Sequence, residues 1–215
     1  MSTSLSGELA RNRNPDFTSP APEAIIQKVT TALRAHNIDA RVVDTGEAAR
    51  RLVLELVPEG AEVHSGKSKT LLDVGLFQDL FESGRFDSVR ARYMKMDRQT
   101  QGREMRKLMA PDYMLGSVQA ITEDGDLVIA SASASQLGPY ASTAGRLILV
   151  VGVQKIVRNL DQALRRIEQH VLPYEDAIVR ERMKISTFIG KILIIRREWV
   201  DGRTTVVLVR ESVGV

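Results

Sequence analysis

Cysteine is absent from the 215 residues, which removes disulfides, cysteine nucleophiles and thiolate-held zinc or iron–sulfur clusters from the chain's own chemistry. Histidine numbers three: His36, His64 and His170 are scattered, and none begins a paired-ligand motif with a nearby carboxylate, so no metal site and no resident cofactor is expected. Aromatic residues make up only 5%, too few for the stacking platforms that single-stranded nucleic acid requires. The formal charge of +3 is spread over interleaved basic and acidic residues. The densest basic group, Arg98, Arg103, Arg106 and Lys107, reads as the solvated face of a helix, and nucleic acid is not an expected partner. No apolar run approaches the ~20 residues that cross a bilayer, so no membrane span is expected. The N-terminus "MSTSLSGELARNRNPDF" lacks the apolar centre of a secretory signal, which makes the cytoplasm the expected location.

What is present suits one sizeable core. A polar segment over 1–19 is expected to precede a single α/β domain over 20–215. "SPAPEAIIQKVTTALRAHN" predicts a helix with Ile25, Ile26, Val29 and Leu33 on one face and Asn37 as its stop. "IDARVV" reads as a strand, and "TGEAARRLVLELV" as a helix ended by Pro58. "AEVH" is a short strand, followed by a glycine loop and a helix carrying Leu71, Leu72, Leu76, Phe77 and Leu80. "FDSVRARYM" is taken as a strand and "DRQTQGREMRKLM" as a helix. In "APDYMLGSVQAITEDGDLVIAS" two apolar stretches flank an Asp124-Gly125 turn. "GRLILVVG" is the clearest buried strand, and "NLDQALRRIEQHVLP" a helix capped by Asn159. "KILIIRREWVDGRTTVVLVRE" predicts a hairpin about Asp201-Gly202. The alternation predicts an open, mostly parallel α/β sheet with flanking helices and a C-terminal antiparallel hairpin.

Ligands of such sheets sit in loops at the carboxyl ends of strands. "HSGKSKTLLDVG" occupies such a loop, but a phosphate loop needs its first glycine five residues before Gly66, where Ala61 stands. What remains is a loop whose backbone N–H groups, Ser68 and Thr70 hydroxyls and Lys67 and Lys69 charges suit a carboxylate or phosphate, against the plainer reading in which Ser68 only caps a helix. No G-x-S-x-G elbow is present, and His64 is the one histidine near the suspected site. Glu123 and Asp124 are adjacent carboxylates that point to opposite faces of an extended backbone and so would not share a proton. They read either as turn residues in solvent or, for Glu123, as an acid or base facing a cleft.

"GKSKTLLDVGL", "GSVQAITEDGDLVIASASASQLGP", "RLILVVGVQKIV" and "REWVDGRTTVVLVRE" resemble, in order, the motifs of the LUD-domain family, whose members include lactate-utilisation protein C. Asp73 stands where the family more often has glutamate, and Asp126 where it has threonine. The resemblance covers Ala40 to Val215. It implies a fold similar to 5-formyltetrahydrofolate cyclo-ligase and to the NagB/RpiA/CoA-transferase-like group. It also implies a role in lactate or related organic-acid utilisation, with iron–sulfur partner subunits carrying the redox centre that a cysteine-free chain cannot hold. The motif positions are Gly66, Ser68, Thr70, Thr122, Glu123 and Gly125. With Lys67 they make the expected ligand site for a small anionic metabolite, and Glu123 is expected to face the same pocket as its catalytic group. A non-catalytic assembly module for redox subunits and an autonomous transferase or isomerase using Glu123 are the alternatives. Whether the isolated chain is an enzyme, and whether it forms a homo-oligomer, are left open.

Overall fold

The computed structural model describes residues 14–66, 68–97 and 99–215; Lys67, Arg98 and residues 1–13 of the polar segment lie outside them. Ten strands form two sheets among the described residues. β1 (Asp39–Val43), β10 (Thr204–Val209), β7 (Arg146–Gly152), β4 (Tyr113–Gly116), β2 (Glu62–His64) and β3 (Asp87–Ser88) lie side by side in that order, every neighbouring pair parallel. A smaller mixed sheet runs β8 (Ile156–Val157), β5 (Ala120–Thr122), β6 (Leu127–Ser131) and β9 (Lys191–Ile195). The open, mostly parallel sheet with flanking helices that the sequence predicts is the architecture found.

The apolar strands explain the layering. β7 and β10 are buried along nearly their whole length, as central parallel strands covered on both faces must be. One face packs on α1 (Glu23–Ala35) through Ile26, Val29 and Leu33. Asn37, at φ 65°, stops that helix in the left-handed region. The other face packs on α2 (Gly46–Leu56), capped by Thr45, and on α3 (Lys69–Asp73) and α4 (Leu76–Phe81) through Val53, Leu71, Leu76 and Leu80. α7 (Leu160–Arg166), with Asn159 accepting from the Gln162 amide, covers the smaller sheet through Ala163 and neighbouring Ile167.

Four local expectations change. The C-terminal runs do not pair as a hairpin: β9 joins β6 antiparallel in the small sheet, while β10 inserts between β1 and β7. Burial on both faces asks β10 for two parallel neighbours, and this outweighs the turn signal. The connection is pinned by a buried ion pair of Arg203 with Glu198 at 2.7 Å, while the same guanidinium donates to the Pro139 and Tyr140 carbonyls. "FDSVRARYM" is mostly helix, α5 (Val89–Tyr93), because Ser88 Oγ accepts from the Ala91 amide and caps it after two strand residues. "DRQTQGREMRKLM" contracts to α6 (Gly102–Lys107). The helix expected to end at Pro173 continues through a π turn at Ile167–Val171 into α8 (Leu172–Met183), where Pro173 sits in the first turn and its missing N–H costs little. From the polar segment, Phe17 packs edge-on to His170 at 6.2 Å between ring centres.

Candidate functional site

Three neighbouring parallel strands deliver polar side chains to one place at their carboxyl ends. The loop after β2 leads to Thr70, β4 leads to Ser117, and β7 leads through a tight 3-10 turn, Val153–Lys155, to Lys155. Lys155 is 3% exposed, and its Nζ lies 2.9 Å from Thr70 Oγ1, 3.2 Å from Ser117 Oγ and 3.4 Å from the Val118 carbonyl. Among the described residues no carboxylate forms an ion pair with it. Burial drives its pKa well below the ordinary lysine value; Arg166 and Lys69 add to that lowering and Asp73 opposes it.

The surroundings are built to admit this amine. A Cβ on Gly116 would fall 1.6 Å from Tyr140 Oη, so the bare backbone is what lets Tyr140 reach in. The Tyr140 hydroxyl accepts from the Ser117 amide at 3.2 Å and donates to the Ser117 carbonyl at 3.4 Å, fixing the residue whose Oγ meets Lys155. Burial pushes the Tyr140 pKa up, keeping the hydroxyl a donor. On the opposite side Gly214, at φ 78°, passes so close that a Cβ would sit 2.1 Å from Thr70 Oγ1 and 2.8 Å from Lys155 Nζ. Asp73 holds that crossing, since its Oδ2 accepts from the Gly214 amide at 3.0 Å while its other oxygen pairs with Lys69.

Lys155, Thr70 and Ser117 open on a cavity of about 380 Å³, roofed by the end of β6 and by α8. Its wall is rich in hydroxyls and amides: Ser65, Ser68, Ser131, Ser133 and Ser135, with Gln119 and Gln136. Ser131 Oγ donates to Gln136 Oε1 at 3.0 Å, and Ser133 Oγ donates to Ser135 Oγ at 3.2 Å. Such a wall suits a small ligand carrying a carboxylate, a phosphate or several hydroxyls.

The sequence-expected residues divide into two groups. Gly66, Ser68 and Thr70 border this cavity. Ser68 also caps α3, its Oγ accepting from the Leu71 amide at 3.3 Å, and a Cβ on Gly66 would make only an ordinary 3.7 Å contact with Gln136. Lys67 lies outside the described residues. Thr122, Glu123 and Gly125 are elsewhere, so the expectation that Glu123 faces the same pocket is corrected. Glu123 pairs with Lys28 at 2.9 Å and borders a separate hollow with Ile25, Arg158 and Gln162. That pairing raises the Lys28 pKa through a hydrogen bond from the ammonium to Glu123. Thr122 Oγ1 accepts from the Asp126 amide at 3.0 Å, and the Glu123 amide donates to the Val157 carbonyl at 2.8 Å. Gly125, at φ 87°, presses on α1, where a Cβ would meet the Leu33 amide nitrogen at 3.2 Å. The short β5–β6 connection is therefore a turn clamped to its neighbours. A role of Glu123 in chemistry would have to be played at that separate hollow.

His64 lies at the end of β2, 7% exposed and tilted on Tyr93 at 6.4 Å. Its Nδ1 has no hydrogen-bond partner among the described residues. Burial, aided by the Arg90 charge, pushes its pKa down to about 4. Among the described residues no group of three or more His, Asp or Glu is placed to hold a metal ion, and no helix is long and apolar enough to cross a membrane.

Sequence reasoning missed Lys155, Ser117, Tyr140, Gln136 and the serines at 131, 133 and 135. The available signals were a lysine inside the apolar run "LVVGVQKIV", just past the most buried strand, and the alternating serines of "SASASQ". Neither distinguishes a cavity wall from a surface without the topology.

The fold and site define an α/β protein with a polar-walled cavity at the carboxyl edge of a parallel sheet. A family model described as LUD domain matches residues 26–209, and the chain belongs to that family. The crystal structure of a DUF162 family protein from Deinococcus radiodurans shares the fold, with a TM-score of 0.53 at 12% identity, over 88% of this chain and 99% of that one. No curated protein matches.

Proposed function

We propose that the chain binds a small anionic metabolite in the cavity around Lys155, and that it serves lactate or related organic-acid utilisation beside iron–sulfur subunits that carry the electrons. The observation that supports the binding reading is the convergence of Thr70, Ser117 and Lys155 from three separate strand ends on a hydroxyl-lined cavity. Such polar groups, brought together from distant parts of the chain and enclosed, are what a specific ligand replaces water against. Gly66 and Ser68 contribute the loop side of the same wall, and Lys67 lies between them in sequence. Membership of the LUD-domain family supports the metabolic setting.

A thermal-shift and calorimetric screen of L-lactate, pyruvate, other short organic acids and sugar phosphates tests this. The expected result is a raised unfolding midpoint with at least one of them. Thr70→Val, which keeps the shape and removes the hydroxyl, then weakens binding by about tenfold or more, roughly 1.4 kcal/mol. Unchanged affinity in Thr70→Val sinks the site. The assembly-module reading is favoured by Trp199, 95% exposed beside exposed Val200 in the β9–β10 connection, since large apolar side chains in solvent mark contact surfaces. A blank screen together with binding to a purified iron–sulfur subunit that Trp199→Ser abolishes would favour it.

A further inference from the structure

We propose that Lys155 is a nucleophile that forms an imine with the carbonyl carbon of a small 2-oxo acid. The inference rests on the metabolite-binding reading and deepens it by naming the chemistry of the ligand.

The argument starts from what a lysine does when it is enclosed. A solvated or ion-paired amine is held as the ammonium, which has no lone pair to attack with, whereas a desolvated one loses its proton and becomes a nucleophile. The chain offers both cases within one cavity wall. Lys69 is paired with Asp73 at the rim. Lys155 is buried, is met by hydroxyl and carbonyl oxygens instead of a carboxylate, and faces the same space. The charged groups that bear on it come from every side: Arg166 from α7 and Lys69 from α3 favour the neutral amine, and Asp73 from α3 opposes them. Glu175 of α8 lines the cavity as well. A lysine serving only to balance a buried carboxylate would have one beside it.

The two hydroxyls supply what imine formation needs besides the amine. The Nζ lone pair forms a bond to the carbonyl carbon as the carbon–oxygen π pair moves to oxygen. That oxygen takes the proton the nitrogen sheds, and the Thr70 and Ser117 hydroxyls, both within hydrogen-bond reach of Nζ, lie on the route for it. The resulting carbinolamine loses its hydroxyl as water with the second amine proton, leaving a carbon–nitrogen double bond. One amine and one carbonyl become one imine and one water, with no change of oxidation state. The carboxylate of the ligand falls to the Ser68 hydroxyl and the Gln136 side-chain amide on the cavity wall. Once protonated, the imine is the cation that such a carboxylate neutralises.

The experiment treats the full chain with pyruvate, glyoxylate or 2-oxoglutarate in the presence of sodium cyanoborohydride, followed by intact-mass measurement and peptide mapping. The expected result is one reduced adduct, located on Lys155, formed with at least one of the three acids and suppressed by excess of a 2-hydroxy acid such as L-lactate. Lys155→Arg, which keeps a cation but cannot form the imine, gives no such adduct, and circular dichroism reports whether it folds. Adducts confined to exposed lysines, or none at all, overturn the proposal. If organic acids still raise the unfolding midpoint while Lys155 stays unlabelled, the imine falls and the binding reading stands. If neither a shift nor a Lys155 adduct occurs with any of the acids, both fall.

Discussion

The polar groups in the turn from Thr122 to Asp126 close on partners within the turn or on the elements packed against it, whereas those around Lys155 meet at the wall of a cavity. Thr122 Oγ1 takes the Asp126 amide, Glu123 takes Lys28, and Gly125 lies against α1. Thr70, Ser117 and Lys155 instead meet at a cavity, and burial draws the pKa of the Lys155 amine well below the ordinary lysine value. Both regions belong to motifs that looked like halves of one site. The difference teaches that a motif's residues can be explained by the turn they build and its packing, while burying an amine at a cavity wall carries a physical cost that local structure does not explain.

That comparison can be broken at three points. The largest effect is expected at His64, on the strand that leads into the cavity loop. Its pKa is depressed to about 4 in the fold against about 6.5 in the unfolded chain. Its contribution is therefore whole above pH ~6.5 and is lost as pH falls toward ~4, by up to about 3 kcal/mol. In His64→Leu that decline should vanish from denaturant midpoints compared at neutral pH and near pH ~4.5. A wild-type midpoint that stays flat across this range contradicts the assignment. Next is Gly125→Ala on the turn side, where a positive φ and the Leu33 amide nitrogen oppose a side chain. About 1–2 kcal/mol of stability should be lost with ligand affinity intact, and a binding defect at unchanged stability would reverse the comparison. The smallest effect is expected from Glu123→Gln, which removes the exposed pairing with Lys28. Calorimetry of the bound metabolite should not distinguish it from wild type, and a large loss would return Glu123 to the site.

The legibility of the fold followed the length and burial of each element. β7 and α1 were readable because a continuous apolar run and a 3.6-residue stripe each have one physical explanation. β3 with α5 was misread because two strand residues and a five-residue helix are too short to show a period, and the Ser88 cap alone decides between them. β9 and β10 were read correctly as strands and incorrectly as partners, since the Asp-Gly signal is local and the demand of β10 for two neighbours is not. Gly66, Ser68 and Thr70 were legible from their place after a strand, and they border the cavity. Lys155 was not, because a lysine in an apolar run is meaningful only once Thr70 and Ser117 are known to stand beside it.

The position of β10 bears on synthesis as well as on architecture. Among the described residues β1 pairs with β10 and with no other strand, so residues 39–43 leave the ribosome with an edge that stays open until residues 204–209 follow. The main sheet is thus completed in its interior by the strand that follows all its other described strands in sequence, and pairing of β1 must wait for it. Until then the facing edges of β1 and β7 lack their partner strand, and unpaired strand edges favour aggregation and chaperone capture.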